Sequence, residues 1–350
     1  VKSSLALAFI SALVVGIGGY LYINSYLHQQ RNLDSTFILD VKKGESLTKV
    51  GRSLSQKMDV GNVRVFVKVG QLLGYASRIK YGEYEIPQGV TVEEIYKMFT
   101  EGRTKKYQFT FVEGSHVYDL ASLLSERGFG SREDILSYLK DPSTVSRFLK
   151  FKASSLEGYL YPETYHYSKT DKLSDIVSQM LKQFEEVFKT LPPLPAGMTK
   201  HQLVTLASIV EKETGAGFER PLISSVFHNR LKKRMRLETD PTVMYGILHE
   251  TGKEIQNIKK IHLKTPTIYN TYTMRGLPPG PIGNPGREAL TASAKPKASQ
   301  HLFFVSRNDG THVFTNNYQD HLKAVRNFQL NPKARAGKSW RDLKNMRPKE

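Results

Sequence analysis

Paired carboxylates on one helix are the first chemistry this sequence offers. The stretch Gln202–Thr214 (QLVTLASIVEKET) sets Leu203, Leu206, Ala207 and Val210 at i, i+3, i+4 and i+7, the spacing of a helix with a buried stripe. At about 100° per residue, Lys212 points away from that stripe, and Glu211 and Glu213 fall on its two flanks. Either could reach a cleft beside the core, where partial burial raises a carboxyl pKa toward the range useful to a general acid. Periodicity leaves the two equivalent. Downstream, Asp240-Pro241 reads as a helix N-cap followed by proline at the first helical position.

Two segments are dense in aromatic and polar residues. Glu157 to Tyr165 (EGYLYPETY), with Glu157, Tyr159 and Tyr161, and Tyr269-Asn270-Thr271-Tyr272 both have the composition of a sugar site. Rings cover the apolar faces of pyranoses, and amides meet hydroxyls. Together with a candidate acid, they point to a saccharide polymer. Asn229 and Arg230 precede a basic run, Lys232, Lys233, Arg234 and Arg236, which could face phosphates or water.

Other chemistries drop out. The chain has no P-loop, no G-x-S-x-G elbow and no H-E-x-x-H zinc helix. Its ten histidines are scattered, and His249 and His312 have no partner at ligand spacing, so no metal and no cofactor is expected. Cysteine is absent, which excludes disulfides, Cys-ligated zinc and thiol nucleophiles.

These side chains need elements to hold them, and 350 residues suffice for two or three domains. With 39 % hydrophobic and 24 % charged residues, the chain can bury a core and is neither disordered nor a multi-span membrane protein. The net charge of +18 implies an anionic neighbour. The uncharged run Leu5 to Ile23 is just long enough to span a bilayer. Tyr20, Tyr22 and Tyr26 stand where an interfacial belt would lie, and Lys2 places the start in the cytoplasm. Without an A-x-A site after the run, it reads as a retained signal anchor. Everything after Asn24 is then exported, which removes nucleic acid as a partner.

The expected order is a cytoplasmic start at 1–4, a span at 5–23, a polar linker at 24–36, a small α/β unit at 37–102, a larger region at 103–330 and a basic tail at 331–350. The small unit opens with a strand at FILDVKK, capped into a helix by Gly44-Glu45-Ser46. The larger region has a strand from Lys105, helices near 117–127, 132–140 and 173–190, and a breaker at Pro192, Pro193 and Pro195. Helix then follows helix to about Leu248, and Gly276–Gly286 (GLPPGPIGNPG) is a structured loop. HLFFVS and THVFT form a hairpin around Asn308-Asp309-Gly310, and Tyr318–Phe328 is the last helix. The fold class is α+β, with a mainly helical larger domain carrying added β-hairpins.

The blocks LEGYLYPETY (156–165), LASIVEKET (206–214), NRL (229–231), RLETDPTVMYG (236–246), TPTIYNTY (265–272), GLPPGPIGNPG (276–286) and HVFTNNYQDH (312–321) resemble the YceG-like endolytic murein transglycosylase (MltG) family. The likeness covers about residues 1–330. It implies a membrane-anchored lytic transglycosylase that cuts peptidoglycan strands between N-acetylmuramic acid and N-acetylglucosamine, leaves 1,6-anhydro ends, and acts as a terminase of nascent strands. The resemblance carries the catalytic acid onto the second glutamate of E-K-E-T, Glu213. Glu211, Glu219 and Asp240 are then supporting candidates, with Glu157, Tyr159, Tyr161, Asn229, Tyr269, Asn270 and Tyr272 as substrate-binding candidates. Val41–Leu47 (VKKGESL) is similar to the start of a LysM repeat, a glycan-binding βααβ module. The implied place is the outer, periplasmic face of the cell inner (cytoplasmic) membrane. The implied partners are glycan strands, that membrane and cell-wall synthases.

Overall fold

The computed structural model describes residues 2–31, 35–213 and 216–331. The basic tail, the middle of the expected linker and Thr214 of the E-K-E-T block lie outside the described residues. The chain divides into two compact units: Val1–Phe109 with His166–Asp171, and Thr110–Tyr165 with Lys172–Glu350.

The first unit starts with an apolar helix, α1 (Lys2–His28). The segment Phe9–His28 is long and apolar enough to cross a membrane. The helix runs past Ile23, where the sequence pattern suggests a linker from Asn24. The reason is tertiary: Tyr26 and Leu27 are buried in the unit's core. The Tyr26 hydroxyl donates to the Val60 carbonyl (2.8 Å), and the Arg31 guanidinium lies over the Tyr26 ring at 5.2 Å. Tyr26 is therefore a core residue, whereas Tyr20 and Tyr22 remain exposed.

After α1 come β1 (Phe37–Val41), α2 (Leu47–Ser55), α3 (Val63–Leu72), β2 (Gly82–Ile86) and α4 (Val92–Glu101). β1 and β2 pair antiparallel from Phe37↔Ile86 to Val41↔Gly82, which makes the order βααβ. Each helix starts on a side-chain cap. Ser46 accepts from the Lys49 N–H, Asn62 from the Arg64 N–H, and Thr91 and Glu94 form a reciprocal capping box. Phe66, Tyr84, Tyr96 and Phe99 fill the core.

β3 (Tyr107–Thr110) pairs with β4 (Thr164–Tyr167), and the chain passes between the units within both strands. The second unit holds α5 (Val117–Glu126), α6 (Arg132–Lys140), α7 (Pro142–Phe148), α8 (Leu173–Lys189), α9 (Lys200–Glu213), α10 (Arg220–Lys232), α11 (Asp240–Thr251), α12 (Lys260–Lys264) and α13 (Arg287–Ala294). A hairpin of β5 (Phe303–Ser306) and β6 (His312–Thr315) and a last helix, α14 (Tyr318–Val325), complete it. The hairpin register runs from Phe303↔Thr315 to Ser306↔His312. Its loop places Asn308 and Gly310 at positive φ, as its turn residues predict. α14 is shorter than expected because its end widens into a π turn, Arg326–Leu330.

α9 is the centre of this unit, with α10, α11 and α13 packed on it. Every residue from Leu203 to Val210 is buried, so the expected single stripe is too narrow. A helix covered on all sides must satisfy its own polar groups. Thr205 and Ser208 do so by donating to the carbonyls of His201 and Thr205. The fold is thus a mostly helical α+β architecture with small two-stranded sheets.

Candidate active site

The far end of α9 is set by what holds its length. Thr199 and Gln202 cap its start reciprocally, each accepting the other's backbone N–H (2.9 and 3.2 Å). The proline- and glycine-rich loop 276–286 then lies along one side. His201 Nε2 donates to the Pro279 carbonyl (2.8 Å), Ser208 Oγ accepts from the Ile282 N–H (3.0 Å), and Glu211 Oε2 accepts from the Gly286 N–H (2.9 Å). Since His201 Nε2 carries that proton, Nδ1 accepts, and the Tyr159 hydroxyl donates to it at 2.6 Å. Gly158 has φ +86°, and a Cβ there would meet Pro281 at 2.4 Å, so only glycine lets the loop pack against this turn.

Glu213, the last residue of α9, is half-buried, with its carboxyl enclosed by protein atoms. The Thr239 hydroxyl donates to Oε1. Burial pushes the carboxyl pKa up to about 7; the Thr239 bond and the Arg230 charge pull it down, and the Asp240 charge pushes it up. The result is a carboxylic acid that is substantially protonated near neutrality.

Thr239, not Asp240, is the N-cap of α11, and its side chain makes no capping bond. Its backbone is fixed at both ends: the N–H donates to Thr271 Oγ1 (3.1 Å), and the carbonyl accepts from Thr242 Oγ1 (2.7 Å). The Thr242 and Thr271 hydroxyls meet at 2.8 Å. Asp240 is the exposed first residue of α11 and accepts from the Tyr272 hydroxyl at 2.7 Å. Gly246, further along α11, lets Thr267 and Tyr269 pack closely on the helix, since a Cβ would meet Thr267 Oγ1 at 2.2 Å. Arg230 is buried and donates to the carbonyls of Leu302 (2.7 Å), Leu237 (2.9 Å) and Arg236 (3.1 Å). It thereby clamps the segment leading to Thr239, in which Glu238 takes the left-handed φ of 50°.

The structure thus brings together Glu213, Asp240 and Tyr272 from the sequence-derived set. It adds Thr239, which residue spacing did not single out, and Arg230, which the sequence showed only beside a basic run. The signal for Thr239 was its type, a capping residue directly before Asp-Pro.

The remaining residues lie elsewhere. Glu211 pairs with Arg220 (2.8 Å), which also bridges to Glu288, so both Glu211 oxygens are engaged in holding α9, α10 and the loop. Glu219 is buried and accepts from the His312 N–H (3.0 Å) and Nδ1 (2.7 Å), which fastens β6. Glu157 is buried, accepting from the Val117 N–H, Asn284 Nδ2 (2.8 Å) and the Tyr245 hydroxyl (2.9 Å); burial raises its pKa to about 7 against those donors. Asn270 directs its amide to the carbonyls of His262, Leu263 and Thr265. Asn229 spends its amide on the carbonyls of Ser299 and His301. Glu157, Tyr159, Tyr161, Tyr269 and Asn270 are all buried. Among the described residues, His116, Asp119 and Glu254 also converge. The two carboxylates lie at opposite ring nitrogens (3.1 and 3.2 Å), and Nδ1 accepts the Asp119 N–H as the cap of α5, while burial lowers the pKa of the ring.

The site is thus an enclosed glutamate at the end of the central helix of a mostly helical unit, held by a threonine hydroxyl. The family model of the YceG-like family matches residues 39–327, and the chain belongs to that family. It is 31 % identical over 334 residues to the endolytic murein transglycosylase of Bacillus subtilis, covering 90 % of this chain and 91 % of the relative. The Streptococcus pneumoniae D39 protein of the same name is 27 % identical over 89 % of this chain, which spans 62 % of that longer relative. The crystal structure of a yceG-like protein from Listeria monocytogenes superposes with a TM-score of 0.55 at 28 % identity, covering 83 % of this chain and 98 % of that one.

Proposed function

We propose that this protein is an endolytic murein transglycosylase with Glu213 as its acid and base. The observation that carries the reading is the Glu213 carboxyl itself, enclosed at the end of α9 and raised to about 7. In the first step the Glu213 O–H bond breaks and its proton passes to the glycosidic oxygen. The C1–O bond breaks with its electron pair going to the leaving sugar, and an oxocarbenium-like centre develops at C1. In the second step the ionised carboxylate takes the proton of the C6 hydroxyl while that oxygen bonds to C1. Water is not consumed, so no second carboxylate is needed as a nucleophile. Asp240, held by Tyr272, supplies negative charge near the developing cation and favours the protonated acid.

The substrate in this reading is the glycan strand of peptidoglycan, as the names of the relatives indicate. α1 is read as a single membrane anchor that holds both units on the outer face of the cytoplasmic membrane, close to nascent strands and their synthases. The βααβ order of the first unit supports a LysM-like role in glycan affinity.

The test is mass spectrometry of sacculus digests made with the full chain. Anhydromuropeptides are expected, and reducing ends in their place would instead identify a hydrolase. Glu213→Gln keeps size and polarity but loses the transferable proton, so release should fall by roughly 10²–10⁴-fold or more. Glu211→Gln should leave measurable activity in folded enzyme. Because the first step needs protonated Glu213, the wild-type rate should fall as pH rises through about 7. A Glu213→Gln enzyme within tenfold of wild type, beside a dead Glu211→Gln enzyme, would reverse the assignment.

A further inference from the structure

We propose that Thr239 is a positioning residue for Glu213: its hydroxyl holds Oε1 and so leaves Oε2 as the oxygen that carries and receives the transferable proton. The inference rests on Glu213 being the acid and base, and deepens that reading.

The first support is a role left unfilled. An N-cap threonine ordinarily accepts a backbone N–H from the first turn of its helix. Thr239 makes no such bond, and its hydroxyl goes to the Glu213 carboxyl. The second is the direction of control. Thr239 is buried, its N–H and carbonyl are tied to Thr271 and Thr242, and those two hydroxyls bond each other. Arg230 clamps the two residues before Glu238 by their carbonyls. Glu213, by contrast, ends its helix on a side chain with three rotatable bonds. The threonine is the fixed partner, and the glutamate is the one being placed.

The third support is proton chemistry. With the Thr239 hydroxyl donating to Oε1, as the structure has it, the neutral acid carries its proton on Oε2. When that proton leaves for the glycosidic oxygen, charge spreads over both oxygens, and the Thr239 O–H is already aimed at one of them. The same bond thus serves both steps without reorganisation.

Among the described residues, charged and titratable groups facing Glu213 come from three places: Asp240 on α11, Arg230 on α10, and Tyr272 from the segment before the Gly/Pro loop. None is removed by a change at Thr239. The hydroxyl favours the ionised carboxylate, so deleting it should raise the pH at which the acid is lost. Deleting the Asp240 charge should lower it.

The experiment compares the full-length wild type, Thr239→Val, Thr239→Ser, Asp240→Asn and Glu213→Gln on purified glycan strands, with kcat, KM and pH profiles. Thr239→Val, which keeps shape, should lose about 10- to 100-fold in kcat with KM within about threefold. Its alkaline limb should move up by about one pH unit. Thr239→Ser should recover both, and Asp240→Asn should shift the limb down. If Val does not fold, Thr239→Ala is read in the same way. Folded Val or Ala enzyme with the wild-type rate and limb overturns the proposal. So does a slow variant whose limb has not moved and which serine does not rescue. If Glu213→Gln itself stays active, the underlying assignment has failed; if it is dead while Thr239→Val is normal, only the role of Thr239 has.

Discussion

Glu211 and Glu213 are two residues apart on one helix and carry the same side chain, yet their surroundings divide them. Glu211 meets a guanidinium and an amide N–H, so it ties structure together. Glu213, among the described residues, meets the Thr239 hydroxyl inside an enclosed site. No pattern local to the helix contains that difference, because Arg220, Gly286 and Thr239 come from other segments. Composition is likewise silent on setting at Tyr159, Tyr269 and Asn270: aromatic and amide residues suit a sugar site or a core, and the structure buries all three. Glu157 is a second enclosed carboxyl, at about 7 in the folded state against 4.5 ordinarily. A raised carboxyl pKa means that the folded protein holds the proton over a range where the unfolded chain has released it. Stability is therefore greatest below about pH 4.5 as far as this group is concerned, and is lost as pH rises toward 7. Denaturant unfolding of Glu157→Gln at pH 5 and 8 should show a smaller loss of stability across that interval than wild type. An unchanged loss would mean that its donors already keep Glu157 ionised.

At the scale of elements, legibility followed cap chemistry. α2 starts on Ser46, α5 and α6 begin within a residue of expectation, and the Asn308–Gly310 turn makes the hairpin, all from short-range signals. β4 and α13 were not foreseen, since the first sits within an aromatic cluster and the second follows directly on the Gly/Pro loop. That loop shows why breaker-rich sequence can still be ordered. Asn284 uses its full side-chain capacity there: Oδ1 accepts from the N–H groups of Gly158 (2.9 Å) and Leu160 (3.0 Å), and Nδ2 donates to the Ser115 carbonyl (3.0 Å) and to Glu157. Asn284→Ala would leave several buried groups without partners, each costing about 1–3 kcal/mol. We expect at least about 3 kcal/mol of destabilisation in chemical unfolding, with faster amide exchange over 276–286. A loss below about 1 kcal/mol would show that water replaces the amide there.

At the scale of the whole molecule, the N-terminal apolar helix was readable from hydropathy, but its continuation into the first unit was not. The polar stretch Asn24 to Arg31 lacks the apolar run of a span, so it reads as a tether. Two of its residues, Tyr26 and Leu27, belong to the first unit's core, so the helix continues into that unit without a hinge among the described residues up to His28. The apolar helix is thus, at its C-terminal end, part of the fold that follows it. Tyr26→Ala removes a buried ring, its hydrogen bond to Val60 and the partner of Arg31. Truncation of a buried aromatic costs about 3–5 kcal/mol. In full-length protein in detergent, the variant should unfold its first unit at a lower temperature, read by exchange protection of Phe66, Tyr84 and Tyr96. Protection of the second unit, through Leu203 to Val210 of α9, should stay unchanged. Equal loss in both units would mean that they unfold as one cooperative body, and no loss in the first would mean that the apolar helix is only a tether.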